Sequence, residues 1–210
     1  MPMNTQHLPR IYELAGVSED NVRTVYMYGS RVYGTHSPHS DHDYIVILDD
    51  EVGADKDAQQ YDSHNGDLSI HTYLYSSWKE HLANHKIFAL ECHSLFPMDR
   101  KVQFTLDLPT LRKEISSKAS NSWVKCKKKL TVETGEFYIG IKSLFHSFRI
   151  PMFGIQIAQH GKVVDFSAAN FIWDELKDLP KDTTWDELNS KYKARHNELM
   201  TEFRKHAEKA

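Results

Sequence analysis

Between residues 22 and 48 the chain carries two β-type runs on either side of a glycine-marked break, and no other stretch constrains the fold as tightly. Val22 to Met27 (VRTVYM) is β-branched and aromatic, Tyr28-Gly29-Ser30 interrupts it, and Tyr44-Ile45-Val46-Ile47-Leu48 is a second, wholly apolar run. A third strand is expected over Asp67 to Tyr73, whose alternation puts Leu68, Ile70 and Thr72 on one face and Asp67, Ser69 and His71 on the other. Residues 49–65, acidic and polar, read as a turn-rich connection. From Ser76 the spacing becomes helical: Trp78, Leu82, Ile87, Leu90 and Leu95 recur at intervals that suit a helix until Pro97 interrupts. Further helices are predicted over 8–16, 110–130, 133–150, 167–178 and 184–208, with Pro151, Gly161 and Pro180 as separators and a short extended piece at Lys162 to Asp165. Strands followed by helices define an α+β chain: a small mixed β-sheet domain over residues 1–108, then a helical domain over 109–210.

The break is where the chemistry gathers. Gly29 allows the backbone to turn sharply and approach a ligand, and Ser30 offers a hydroxyl and an N–H at a helix start, where phosphate oxygens bind readily. Ten residues later Asp41 and Asp43, two apart in extended chain, project to the same face. Paired carboxylates suit Mg²⁺, which binds one or two protein carboxylates together with water and substrate phosphates. A pair of such ions about 3.5–4 Å apart can activate a hydroxyl and stabilise a leaving pyrophosphate.

The order and spacing of Gly29, Ser30, Asp41 and Asp43 resemble the signature of the polymerase-β-like nucleotidyltransferase superfamily. The Gly29-Ser30-Arg31-Val32-Tyr33-Gly34 form is most similar to its stand-alone bacterial and phage members. The resemblance covers residues 22–75 and implies a small mixed sheet and transfer of a nucleoside monophosphate from a nucleoside triphosphate, with pyrophosphate released. It implies a two-ion Mg²⁺ site, with Mn²⁺ able to take its place, held by Asp41, Asp43 and a third acid. Asp67 is the expected third acid and base, and Asp62 is the reserve. Gly29, Ser30 and Arg31 are the expected nucleotide-binding residues of this half. The pair His42-Asp43, with His36 and His39 upstream, also superficially resembles helical metal-dependent phosphohydrolases, but the β-type run that follows argues against them.

Composition sharpens the reading. The net charge of −3 hides a split: residues 1–100 hold 7 basic and 15 acidic side chains, a net −8, and residues 101–210 hold 19 and 14, a net +5. An acidic, metal-holding half beside a phosphate-accepting half fits the motif. In the basic half, Lys142, His146 and Arg149 fall on one helix face and are expected to bind nucleotide phosphates. Lys125 and Lys127 to Lys129 are read as a solvated face, and Phe137, Tyr138, Trp173 and Trp185 as core. Hydrophobic content of 40% excludes intrinsic disorder, and no apolar run approaches the roughly 20 residues that span a bilayer. Two cysteines, Cys92 and Cys126, are expected to be buried thiols. With no apolar signal core at the N-terminus, a cytoplasmic location is expected. The acceptor stays open among an RNA 3′ end, a protein hydroxyl and a small molecule, with the positive half pointing toward RNA. The alternative is a catalytically silent nucleotide-binding or antitoxin-like interaction protein.

Overall fold

The computed structural model describes residues 5–55, 60–96 and 104–208. The chain divides into two compact units, Met1–Thr105 and Leu106–Ala210. Among the described residues no helix is long and apolar enough to cross a membrane.

The first unit is built on a four-stranded mixed sheet of order β1-β2-β4-β3, from β1 (Val22–Tyr28), β2 (His42–Leu48), β3 (Gln60–Asn65) and β4 (Leu68–Leu74). β1 and β2 are antiparallel, β2 and β4 parallel, and β3 and β4 antiparallel. The strand β3 falls in the segment expected to be connection. Its pairing of Asn65 with Leu68 leaves Gly66 and Asp67 as a two-residue hairpin turn, and Gly66 has the positive φ (58°) such turns demand.

The two faces of the sheet are covered differently. Helix α1 (Leu8–Ala15), closed by Gly16 in the left-handed conformation, buries Ile11 against Val25, Tyr44, Val46, Leu48, Leu68 and Ile70. On the other face Tyr26 and Tyr73 stack with Trp78 and Phe88 from α3 (Tyr75–Ala83) and α4 (Ile87–Leu95). The expected single helical stretch is thus two helices, broken at His85, a non-glycine residue at φ 55°. Pro97 lies outside the described residues. The one-turn helix α2 (Ser30–Tyr33) follows β1 directly.

The second unit is helical: α5 (Leu108–Thr131), α6 (Phe137–His160), α7 (Asn170–Leu176) and α8 (Trp185–His206). Asp107 caps α5 by accepting from the Thr110 N–H at 2.8 Å. Thr184 and Glu187 form a reciprocal capping box on α8. Pro151 does not end a helix as its position suggested. It removes one backbone bond, a loss of about 3 kcal/mol, but Phe148, Ile150, Phe153 and Ile157 are buried on both sides of it and hold α6 continuous. Lys162 to Asp165 forms no strand, because the Gln156 side-chain oxygen accepts from the Val164 and Asp165 N–H groups. Both cysteines are free and buried. Trp185 is core, whereas Tyr138 is 55% exposed.

Candidate active site

Gly29 caps α2 at φ 77°, ψ −153°, a region populated essentially by glycine alone. The register places Tyr28 opposite Asp43, so Gly29 lies against the carboxylate of that aspartate. A Cβ added at Gly29 would fall 2.2 Å from Asp43 Oδ2. The turn therefore tolerates no side chain, and the glycine brings the backbone directly against an acid. Ser30, half-buried, opens the helix, and Gly34 closes it at φ 80°. Arg31 turns back onto the entry of β2: its Nε donates to the Asp41 carbonyl at 3.1 Å and its Nη2 to the Ser40 carbonyl at 2.5 Å. These donors fix where the acid segment begins.

Alternation along β2 separates two sets. Tyr44, Val46 and Leu48 pack beneath α1, so Asp43, Ile45 and Ile47 occupy the opposite face, and the same alternation carries back to Asp41. Parallel pairing sets Ser69 beside Asp43 and His71 beside Ile45, and β3 adds His64 opposite Ser69 and Asp62 opposite His71. Asp41 and Asp43 are both half-buried.

The third acid is arranged less simply. Asp67 sits in the hairpin turn, and its carbonyl accepts from the His42 N–H at 2.7 Å, so its backbone abuts the acid pair. Its carboxylate, however, takes two hydrogen bonds from Arg10 of α1, at 2.6 and 3.2 Å. Those bonds hold Asp67 down to a pKa of about 2. Asp62 pairs instead with His71, Oδ1 to Nδ1 at 2.8 Å. Burial, with Arg31 and His7 nearby, pushes His42 below the usual histidine value. Among the described residues no group of three or more His, Cys, Asp and Glu side chains forms a metal-holding cluster. Asp41 and Asp43 nevertheless fit a Mg²⁺ ion that takes its remaining ligands from substrate phosphates and water. The sequence pattern put Ser69 and His71 on one face with Asp67 but did not reveal Arg10, which reaches Asp67 from α1.

The three candidates in the second unit do lie together. Arg149 is buried, its guanidinium rests 5.0 Å from the Phe153 ring centre, and its Nε donates to His146 Nδ1 at 3.1 Å. His146 is pushed well below its ordinary value, first by burial and then by the positive charges of Arg149, Lys142 and Lys125. It therefore acts as a neutral acceptor. The Lys142 ammonium lies 5.5 Å over the exposed Tyr138 ring. In the lysine run, Lys128 and Lys129 form ion pairs with Glu133, and these pull that carboxyl down to about 2.

Residues 14–104 match the model of the nucleotidyltransferase domain family. The chain is also similar in structure to a nucleotidyltransferase-like protein from Exiguobacterium sibiricum 255-15, at 13% identity and a TM-score of 0.36, over 96% of this chain and 77% of that one. No curated protein matches the chain significantly.

Proposed function

We propose, from the match of residues 14–104 to the nucleotidyltransferase domain family, that the chain moves a nucleoside monophosphate from a nucleoside triphosphate such as ATP to an acceptor hydroxyl, on an RNA 3′ end or a protein. The contact of Gly29 with Asp43 carries this reading, because it locks a phosphate-binding turn to an acid pair at a spacing that admits no side chain.

In the proposed reaction the acceptor oxygen bonds to the α-phosphorus, the bond from that phosphorus to the β-phosphate oxygen breaks, and pyrophosphate leaves with the electron pair. The Ser30 hydroxyl and N–H orient the phosphates, with Gly29 giving them room. Arg31 holds the Ser40–Asp41 backbone so that Asp41 and Asp43 present as a pair. These two would hold Mg²⁺, or Mn²⁺ in its place, which when bound offsets phosphate charge and makes the hydroxyl easier to deprotonate. Asp67 takes the hydroxyl proton once its carboxylate leaves Arg10, and Asp62 is the alternative. Within the second unit, Lys142 offers positive charge to phosphates, and the buried Arg149 acts through His146. A cation over an exposed aromatic ring, in the half with net charge +5, favours RNA as acceptor.

The test is incubation of the chain with labelled nucleoside triphosphates, Mg²⁺ and cell extract. Label should enter RNA with release of pyrophosphate, and the double variant Asp41→Asn, Asp43→Asn should fall to background while keeping its melting temperature. Full activity in the double variant would sink the proposal. Capture of the Asp67 carboxylate by Arg10 favours the second reading, a silent nucleotide-binding or antitoxin-like protein. A metal-dependent rise in melting temperature without any transfer of label would select it.

A further inference from the structure

The wall of the first unit contains a buried polar pair that the proposed chemistry does not use. Glu91 of α4 is 1% exposed and Tyr33 of α2 is 3% exposed, and the Tyr33 hydroxyl donates to Glu91 Oε2 at 2.5 Å. A carboxyl and a phenol taken out of water are costly, and an apolar pair of similar volume would be equally or more stable at such a place. Packing alone does not account for them.

Their position does. Helix α2 is a single turn, too short to hold itself, and it hangs between two glycines at positive φ, Gly29 and Gly34. Its backbone is closed by the Val32 and Tyr33 N–H bonds to the Gly29 carbonyl, at 3.0 and 3.3 Å, and by the Gly34 and Thr35 N–H bonds to the Ser30 carbonyl, the latter at 2.9 Å. Arg31 secures the loop on its β2 side. Tyr33 secures it on the α4 side, and its ring packs edge-on against Tyr28, the residue paired with Asp43. We propose that the Tyr33–Glu91 hydrogen bond is a strut that positions the Gly29-Ser30 turn against Asp43, making Tyr33 and Glu91 positioning residues for phosphate binding. The strut rests on the nucleotidyltransferase reading for its purpose but not for its existence.

Two measurements on the full chain keep these apart. The first is hydrogen exchange without nucleotide. Tyr33→Phe and Glu91→Leu should speed exchange of the amides at residues 32, 33 and 35 by about tenfold, as expected for one lost buried hydrogen bond. Glu91→Gln, which keeps an acceptor oxygen, should stay near wild type. The second is affinity for ATP with Mg²⁺, which should weaken about tenfold in Tyr33→Phe and Glu91→Leu and recover in Glu91→Gln. Over the same series the melting temperature of the double variant Tyr33→Phe, Glu91→Leu should equal or exceed that of the single variant Glu91→Leu, which takes the carboxylate acceptor away from the buried Tyr33 hydroxyl. Unchanged exchange in both Tyr33→Phe and Glu91→Leu, or equal impairment in Glu91→Gln and Glu91→Leu, overturns the strut. Unchanged ATP affinity in Tyr33→Phe, in a wild type that binds ATP, overturns its positioning role. A wild type that binds no ATP fails the functional reading alone, and the exchange data still decide the strut.

Discussion

Among the positive-φ glycines of the first unit, Gly29 and Gly66 differ in what surrounds them. Gly66, at φ 58°, has nothing within 4 Å of where a Cβ would stand, whereas at Gly29 that atom would meet Asp43 Oδ2 at 2.2 Å. Gly66→Ala should therefore cost about 1 kcal/mol, the conformational penalty alone. Gly29→Ala adds displacement of Asp43 to a stricter backbone conformation and should cost about 3 kcal/mol or more, with loss of nucleotide binding. Urea midpoints of the two variants check this, and equal costs would show that the Gly29–Asp43 contact is loose. At this scale the sequence was legible wherever partners are close along the chain. Gly29-Ser30 and Asp41-x-Asp43 stand out because spacing alone states the chemistry. Arg10 is 57 residues from Asp67, and no local period links them, so the ion pair that occupies the expected third acid could not be read in advance. The Asp62–His71 contact is hidden for a related reason, since it depends on the register of a hairpin that had not been recognised.

Elements were readable where pattern and burial agree. The apolar run of β2 is unambiguous, and the helix expected over 184–208 is α8. The strand β3 was missed although Asn65-Gly66 is a strong hairpin signal, because Gln60 to Asn65 is too polar to announce itself and gains its stability from pairing with β4. Helix α6 went the other way: Pro151 looked like a terminus, and tertiary burial overrode it. The same helix shows why propensity is a poor guide in packed surroundings. Replacing a helical glycine by alanine ordinarily gains about 1 kcal/mol. At Gly154, however, a Cβ would approach Phe203 of α8 to 2.8 Å and Ile115 of α5 to 2.9 Å. Gly154→Ala should therefore destabilise the chain by about 1–3 kcal/mol, seen as a lower melting temperature. A gain in stability would mean that the α5–α6–α8 contact is softer than the structure indicates.

For the molecule as a whole, part of the charge split of −8 and +5 is already met by ion pairs within each half. Asp67 in the first half is already neutralised by Arg10, and Lys128 and Lys129 in the second are met by Glu133. The basic half instead conceals histidines that the fold holds neutral. His196 of α8 is buried beside Trp123 and Phe148, with its Nε2 lacking a hydrogen-bond partner among the described residues, and burial drives its pKa from 6.5 down to about 4. Between those two values the unfolded chain binds a proton at this site that the folded chain refuses. Stability is therefore complete above pH 6.5 and is lost as the pH falls toward 4, by about 3 kcal/mol for this group. His146, lowered by burial and by three neighbouring cations, acts in the same direction. The low-lying carboxyls Asp67 and Glu133, each near 2, lose their ion pairs only at more acidic pH, so the upper part of the acid limb belongs to the histidines. Urea titrations at steps from pH 7.5 to 4.5 should show a steady fall in midpoint for the wild type. His196→Phe, which keeps a ring between Trp123 and Phe148, should flatten the curve over that range without changing its more acidic part. An equally steep fall in His196→Phe would assign the acid sensitivity to other groups, with His146 the first to examine.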